Sequence, residues 1–146
     1  MIKLLQLIHE TENVKAEFDT DVPCIILTAK DFTDSNDVRK TFTKAIDFYM
    51  DNIGDYPNIS WLNDMRGLKT ARPMDVRWID KNVNDRASVL GKRKTAFILP
   101  EDRLGRFAVD TYISFTNMRP NNNLVFKSFN TVDEAKTWLK EPLAKG

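Results

Sequence analysis

"PCIILTA", residues 23–29, is apolar at nearly every position and lacks the alternation of a strand with one wet face. Such a run predicts a strand covered on both sides, as in the interior of a parallel sheet. Before it, "IKLLQLI" (2–8) and "NVKAEF" (13–18) are short strand candidates joined by the polar "HETE", a predicted β-hairpin. After it, Val38, Phe42, Ala45, Ile46, Tyr49 and Ile53 form one stripe of a helix over Asn36–Ile53, with Asp34 or Ser35 as cap and Gly54 as stop.

The alternation of strand and helix then continues. "PNISWLND" (57–64) reads as a strand, and Pro73 to about Leu90 as a helix with proline in its first turn and Gly91 after its end. "KTAFILP" (94–100) is a further apolar strand. Leu104, Phe107, Ala108, Thr111, Tyr112 and Phe115 trace a helical stripe that ends near Pro120. "NLVFKSF" (123–129) is the last strand. In "TVDEAKTWLKE" (131–141), Thr131 and Glu134 have capping-box spacing. The expected fold class is therefore α/β: an N-terminal β-hairpin followed by βα repeats, a mixed but mostly parallel sheet, and about four helices in one domain over 1–146.

Composition narrows the function classes. A chain of 146 residues with 22 basic and 21 acidic side chains has a net charge of +1, without the basic excess of a general nucleic-acid binder. Cys24 is the one cysteine, which excludes an intrachain disulfide and a cysteine-rich metal site and suits a reducing compartment. The opening "MIKLLQLIHETEN" meets charge too early for a secretory signal, and no run approaches the roughly 18 apolar residues of a membrane span. The expectation is a cytoplasmic protein that does not span a membrane.

Three stretches carry a family likeness: "LTAKDFTDSNDV", "SWLNDMRGL" and "LVFKSFNTVDEAKTWL". Taken with the element order, the chain resembles the STAS-like, SpoIIAA-like superfamily, and more closely its bacterial STAS/CRAL-TRIO-like branch. That resemblance implies a SpoIIAA-like fold and a non-catalytic regulatory or protein-interaction module. Its CRAL-TRIO-like side implies instead a carrier or sensor of a small lipid-like or anionic ligand, held between helices and sheet. Phosphorylated members of the superfamily keep a Ser or Thr just past the Asp that ends the middle strand. Here that turn reads Asp64-Met65-Arg66-Gly67-Leu68, and the nearest downstream hydroxyl is Thr70, a poor substitute as phosphoacceptor.

The same turn offers cations. Arg66, Lys69 and Arg72 follow one predicted strand, and Arg103 and Arg106 follow another. Neighbouring strands would bring them around two helix N-termini, where amides favour anions. Asp31, Asp34, Asp64, Asp75, Glu101 and Asp102 lie at the same end, so simple pairing across a solvated rim is the competing reading. Met74 and Trp78 sit beside the apolar stripe of the 73–90 helix. They are candidates for an interaction surface, or for burial under the hairpin.

Other residues read more plainly. His9 lacks a nucleophile at motif spacing, although a dyad with Cys24 is conceivable; Cys24 otherwise reads as a small core residue. "DFTDSND" lacks the glycine and terminal glutamate of a calcium loop and reads as a helix cap. "GKRK" (91–94) reads as solvated surface. No catalytic constellation, cofactor or metal site is expected; a protein partner, a small ligand or a homo-oligomer all remain open.

Overall fold

The computed structural model describes residues 5–70, 72–118 and 123–142. Strands β1 (Leu5–Glu10), β2 (Val14–Asp19), β3 (Cys24–Phe32), β4 (Ser60–Thr70), β5 (Arg93–Ile98) and β6 (Leu124–Phe129) form one sheet in the order β1-β2-β3-β4-β5-β6. The pairs β1/β2 and β2/β3 are antiparallel, and the other three are parallel. The expected hairpin and mostly parallel sheet are both present. Residues 2–4 of the expected first strand lie outside the described residues.

Both faces of the sheet are covered, which is why 23–29 reads apolar throughout. On one face, Trp61, Met65 and Phe97 pack with Phe42 and Ile46 of α1 (Ser35–Asn52) and Val109 of α4 (Arg103–Asn117). The 73–90 helix joins that layer in three segments: α2 (Pro73–Ile79), a π-helical turn at Asp80–Asn84, and α3 (Asp85–Ser88). On the other face, Cys24, Leu62, Ala96 and Ile98 pack against Ala135 and Leu139 of α5 (Val132–Lys140). Leu62 and its neighbours Trp61 and Asn63 thus point to opposite layers, as period-two alternation requires.

The helix starts follow their caps. Asn36 N and Asp37 N donate to Asp34 Oδ1 at 2.8 and 3.3 Å, so Asp34 is the cap of α1. Leu104 N and Gly105 N donate to Asp102 Oδ2. Glu134 N donates to Thr131 Oγ1 at 3.2 Å, so Thr131 caps α5; the Glu134 carboxylate accepts from that same hydroxyl at 3.1 Å and not from the Thr131 N–H, so the expected capping box is formed only in its N-cap half.

Three sequence expectations need correction. Strand β4 does not stop at Asp64 but runs to Thr70 beside a longer β3, with the register shifting between Thr28↔Asp64 and Lys30↔Gly67. Arg66 and Lys69 therefore sit in a strand, not in a strand-to-helix loop. Beyond Asp64 the strand has lost β5 as a neighbour and pairs with β3 alone, so its exposed positions can be basic while Met65 and Leu68 stay buried.

The second correction concerns α4. Its inner face is Gly105, Val109 and Thr116, whereas Leu104, Phe107 and Phe115 are exposed. Gly105 decides this rotation. A Cβ there would stand 2.4 Å from the Leu68 carbonyl oxygen, so only glycine lets the helix lie this close to β4. The end of that helix near Pro120 lies outside the described residues.

Third, Lys94 of "GKRK" is not solvated. It is 7% exposed, and its Nζ donates to the carbonyls of Trp138 and Glu141, both at 2.7 Å, closing the C-terminus of α5. Burial lowers the pKa of this ammonium.

Candidate functional site

Extending β4 past β5 has a structural consequence. Asn63, Met65 and Leu68 project toward α1, α2 and α4, and those helices do not close completely over them. They leave a cavity of about 80 Å³ whose wall is mainly apolar, with Ala29, Phe42, Met65 and Leu68 among its side chains. Apolar walls of this kind hold small apolar molecules, while a water needs several polar partners.

Two polar side chains in that wall are short of partners. Asn63 is 8% exposed and its Oδ1 accepts no hydrogen bond. Asp75, from the first turn of α2, is 4% exposed; Ser35 Oγ donates to its Oδ2 at 2.9 Å, while Oδ1 accepts no hydrogen bond. Arg39 Nε stands 3.7 Å from Asp75 Oδ1, close enough to balance its charge. Arg72 donates to Ser35 Oγ at 3.0 Å and reaches the cavity wall. An acceptor left unpaired in a buried site weakens the fold by about 1–3 kcal/mol. Asp75 Oδ1 faces Arg39 Nε, a buried donor itself without a hydrogen bond, so the protein answers this oxygen with an ion pair; Asn63 Oδ1 is the acceptor of this wall that is left to a donor from outside.

The wall has an outer side. Val76, Ala108 and Tyr112 line both the cavity and a groove of about 560 Å³ between α2 and α4. Phe107 and Phe115 form one bank of that groove, and Pro73 and Arg77 the other. Tyr112 is fixed from the π-helical turn, where Asn84 Nδ2 donates to its Oη at 2.6 Å.

The cations singled out in the sequence fall in different places. Arg66 Nε and Nη2 donate to Asp64 Oδ1 and Oδ2 at 2.9 and 2.7 Å, a two-pronged pair that raises the arginine's pKa. Alternation from Leu62 puts Asp64 and Arg66 on the α5 side of the sheet. Arg72 is on the other side, in the α1–α2 cluster. Lys69 is exposed near the end of β4, and Arg103 and Arg106 are exposed in the first turns of α4.

Met74 is 69% exposed, while Trp78 is half-buried against the core with the Arg39 guanidinium 5.8 Å from its ring centre. Thr70 is the last residue of β4, its backbone paired with Phe32; its side chain lies outside what the structure describes. Cys24 is fully buried among apolar side chains on the α5 side, where burial, then the Asp19 carboxylate, push its thiol up to about 12.

Asn63 and Asp75 were not identified as site residues from the sequence. The signal for Asn63 was present: in "ISWLNDM" it shares the inward parity of Trp61 and Met65, an amide where an apolar residue is due. Asp75 had no such signal, since one turn into a helix an aspartate is ordinary.

No protein-family model and no curated protein matches the sequence. The fold does have a counterpart among solved structures. It is similar to the crystal structure, at 2.25 Å, of an uncharacterized protein from the DUF3478 family with a SpoIIAA-like fold from Shewanella loihica PV-4. The TM-score is 0.52 at 15% sequence identity, over 95% of this chain and 98% of that one. The chain thus has a SpoIIAA-like fold, as its sequence resemblance implies. Among the described residues no helix is long and apolar enough to cross a membrane.

Proposed function

We propose that this protein is a non-catalytic carrier or sensor of a small, mostly apolar molecule bearing a hydrogen-bond donor, such as a hydroxyl or amide N–H. The observation that carries this reading is the cavity with a buried acceptor, Asn63 Oδ1, that has no hydrogen bond within the protein, beside Asp75, whose Oδ1 faces Arg39 Nε at 3.7 Å. A ligand would place its apolar body among Phe42, Met65 and Leu68 and its donor on Asn63 Oδ1. The polar atoms supply orientation and the apolar wall most of the affinity. Asp75 disfavours a carboxylate or phosphate at that point, although Arg72 on the same wall keeps an anion within reach of the rim.

Native mass spectrometry of the protein purified from its own host tests this. A retained neutral molecule with a donor group is the expected result. A retained organophosphate or carboxylate would favour the anionic-ligand alternative. The interaction-module reading draws on a different feature, the exposed apolar face of α4. The two readings are compatible, because a sensor needs both a ligand site and a surface that reports its state.

A further inference from the structure

Helix α4 is apolar on two sides, and the second side has no cover among the described residues. Leu104 is 73% exposed, Phe107 72%, Phe115 57%, and Met118 at the C-cap 83%. Their spacing is symmetric. Counted from Thr111, itself exposed, these residues lie seven and four positions before it and four and seven after it. Read in either direction, the stripe has the same pattern.

A pattern that reads the same in both directions suits a particular partner. Two copies of α4 running antiparallel across a two-fold axis at Thr111 set Phe107 level with Phe115 of the second copy, and Leu104 level with its Met118. Each contact then occurs twice, as an isologous interface requires. The seven-residue advance from Leu104 to Thr111 to Met118 keeps the seam on one side of the helix over its whole length.

The area is adequate. The four apolar side chains expose on the order of 600 Å² per copy, so pairing covers at most about 1,200 Å² of apolar surface, the lower limit of specific interfaces, to which the polar rim adds. Arg103, Arg106 and Asp110, all exposed, flank the stripe as a polar rim. We propose that this face is a homodimer interface built on antiparallel α4 helices, with Thr111 at the dyad. The proposal stands on α4 alone and holds whether or not the cavity carries a ligand. If both hold, Val76, Ala108 and Tyr112 separate ligand from interface by a single layer of side chains.

The experiment is sedimentation velocity on the full chain over a concentration series, with three variants. The native chain is expected to move from one to two chains' mass in the micromolar range. Phe107→Glu is expected to stay monomeric, with the melting temperature that the native chain has when diluted to monomer, because the residue it alters is in solvent in the single chain. Thr111→Cys is expected to cross-link into a dimer under mild oxidation, while Asp133→Cys on α5 does not. A native chain that is monomeric throughout overturns the proposal. So does a dimer that survives Phe107→Glu, or one that Thr111→Cys fails to cross-link. Co-sedimentation of a monomer with phosphatidylglycerol-containing vesicles, lost in Phe107→Glu, would assign the face to a lipid surface and overturn it too.

Discussion

Ser35 Oγ donates to Asp75 Oδ2 at 2.9 Å and in turn accepts from Arg72 at 3.0 Å, tying the start of α1 to the start of α2 through a carboxylate that is 4% exposed. This hydroxyl both satisfies a buried charge and holds one rim of the cavity. Ser35→Ala is expected to destabilise the protein by about 1–3 kcal/mol, since it leaves a buried acceptor without its donor. Ser35→Thr should retain most of the native value. Urea unfolding of the two variants against the native chain checks the pair.

Gly105 and Gly54 make opposite predictions. Gly105→Ala drives a Cβ toward the Leu68 carbonyl, a backbone atom that cannot swing aside, so α4 must move off the sheet. A loss of about 1–3 kcal/mol is expected, as for overpacking elsewhere. At Gly54 a Cβ meets nothing within 4 Å, and Gly54→Ala is expected to stabilise by about 0.4–1 kcal/mol through the unfolded chain. Thermal melts of both variants separate a specific close approach from a general intolerance of substitution.

Lys136 Nζ stands 2.7 Å from Asp19 Oδ2, with Asp19 2% exposed, and pins α5 to the end of β2. Removing Lys136 takes the cation from a buried carboxylate whose Oδ1 still accepts from the Asp21 N–H at 2.9 Å. Lys136→Met is expected to lower stability by about 3–5 kcal/mol, whereas the double variant Lys136→Met/Asp19→Leu recovers a large part of that loss. A double-mutant cycle from chemical denaturation reads out the difference.

Cys24 gives a pH dependence whose sign can be worked out. Its thiol titrates near 12 in the folded protein against an ordinary value of 9.0, because burial and then Asp19 oppose the thiolate. Below about pH 9 folded and unfolded chains both hold the proton, and stability from this group is complete. Above it the unfolded chain loses the proton first. Stability should therefore fall as pH rises from 9 toward 12, by about 1 kcal/mol at pH 10. Urea midpoints of the native chain and Cys24→Ala between pH 7 and 10 should diverge only in the alkaline range. A parallel response of the two would contradict the assignment.

The order of elements was legible in the sequence because burial dictates it. A strand covered on both faces must be apolar throughout, and a helix on a sheet must carry a stripe. What was not legible arose where one element offers two solutions. Polar Asp64, Arg66 and Lys69 looked like the end of a strand, but a strand paired on one side only can carry charges outward. Helix α4 has two apolar faces, and the choice between them rests on the missing Cβ of Gly105. Lys94 looked like surface because its neighbours are charged, while its own carbonyl partners come from α5, more than forty residues later.

The site was legible in part for the same reason. The region after "SWLND" drew notice for its cations, and Arg72 does reach the cavity. The cavity itself depends on three helices failing to close over β4, a tertiary outcome that no local pattern encodes. Its two acceptor oxygens belong to residue types that are unremarkable until their burial is known.

The most direct measurement is a calorimetric titration of the protein with 1-propanol and with propionate, small enough for a cavity of about 80 Å³ and different at the group that would meet Asn63 beside Asp75. Saturable binding of the alcohol that exceeds that of the carboxylate, and that weakens in Asn63→Leu and is lost when Ala29→Met fills the cavity, is the expected result. Equal binding of both by the native chain and by Ala29→Met, or binding of neither, would contradict a donor-selective ligand site in this cavity.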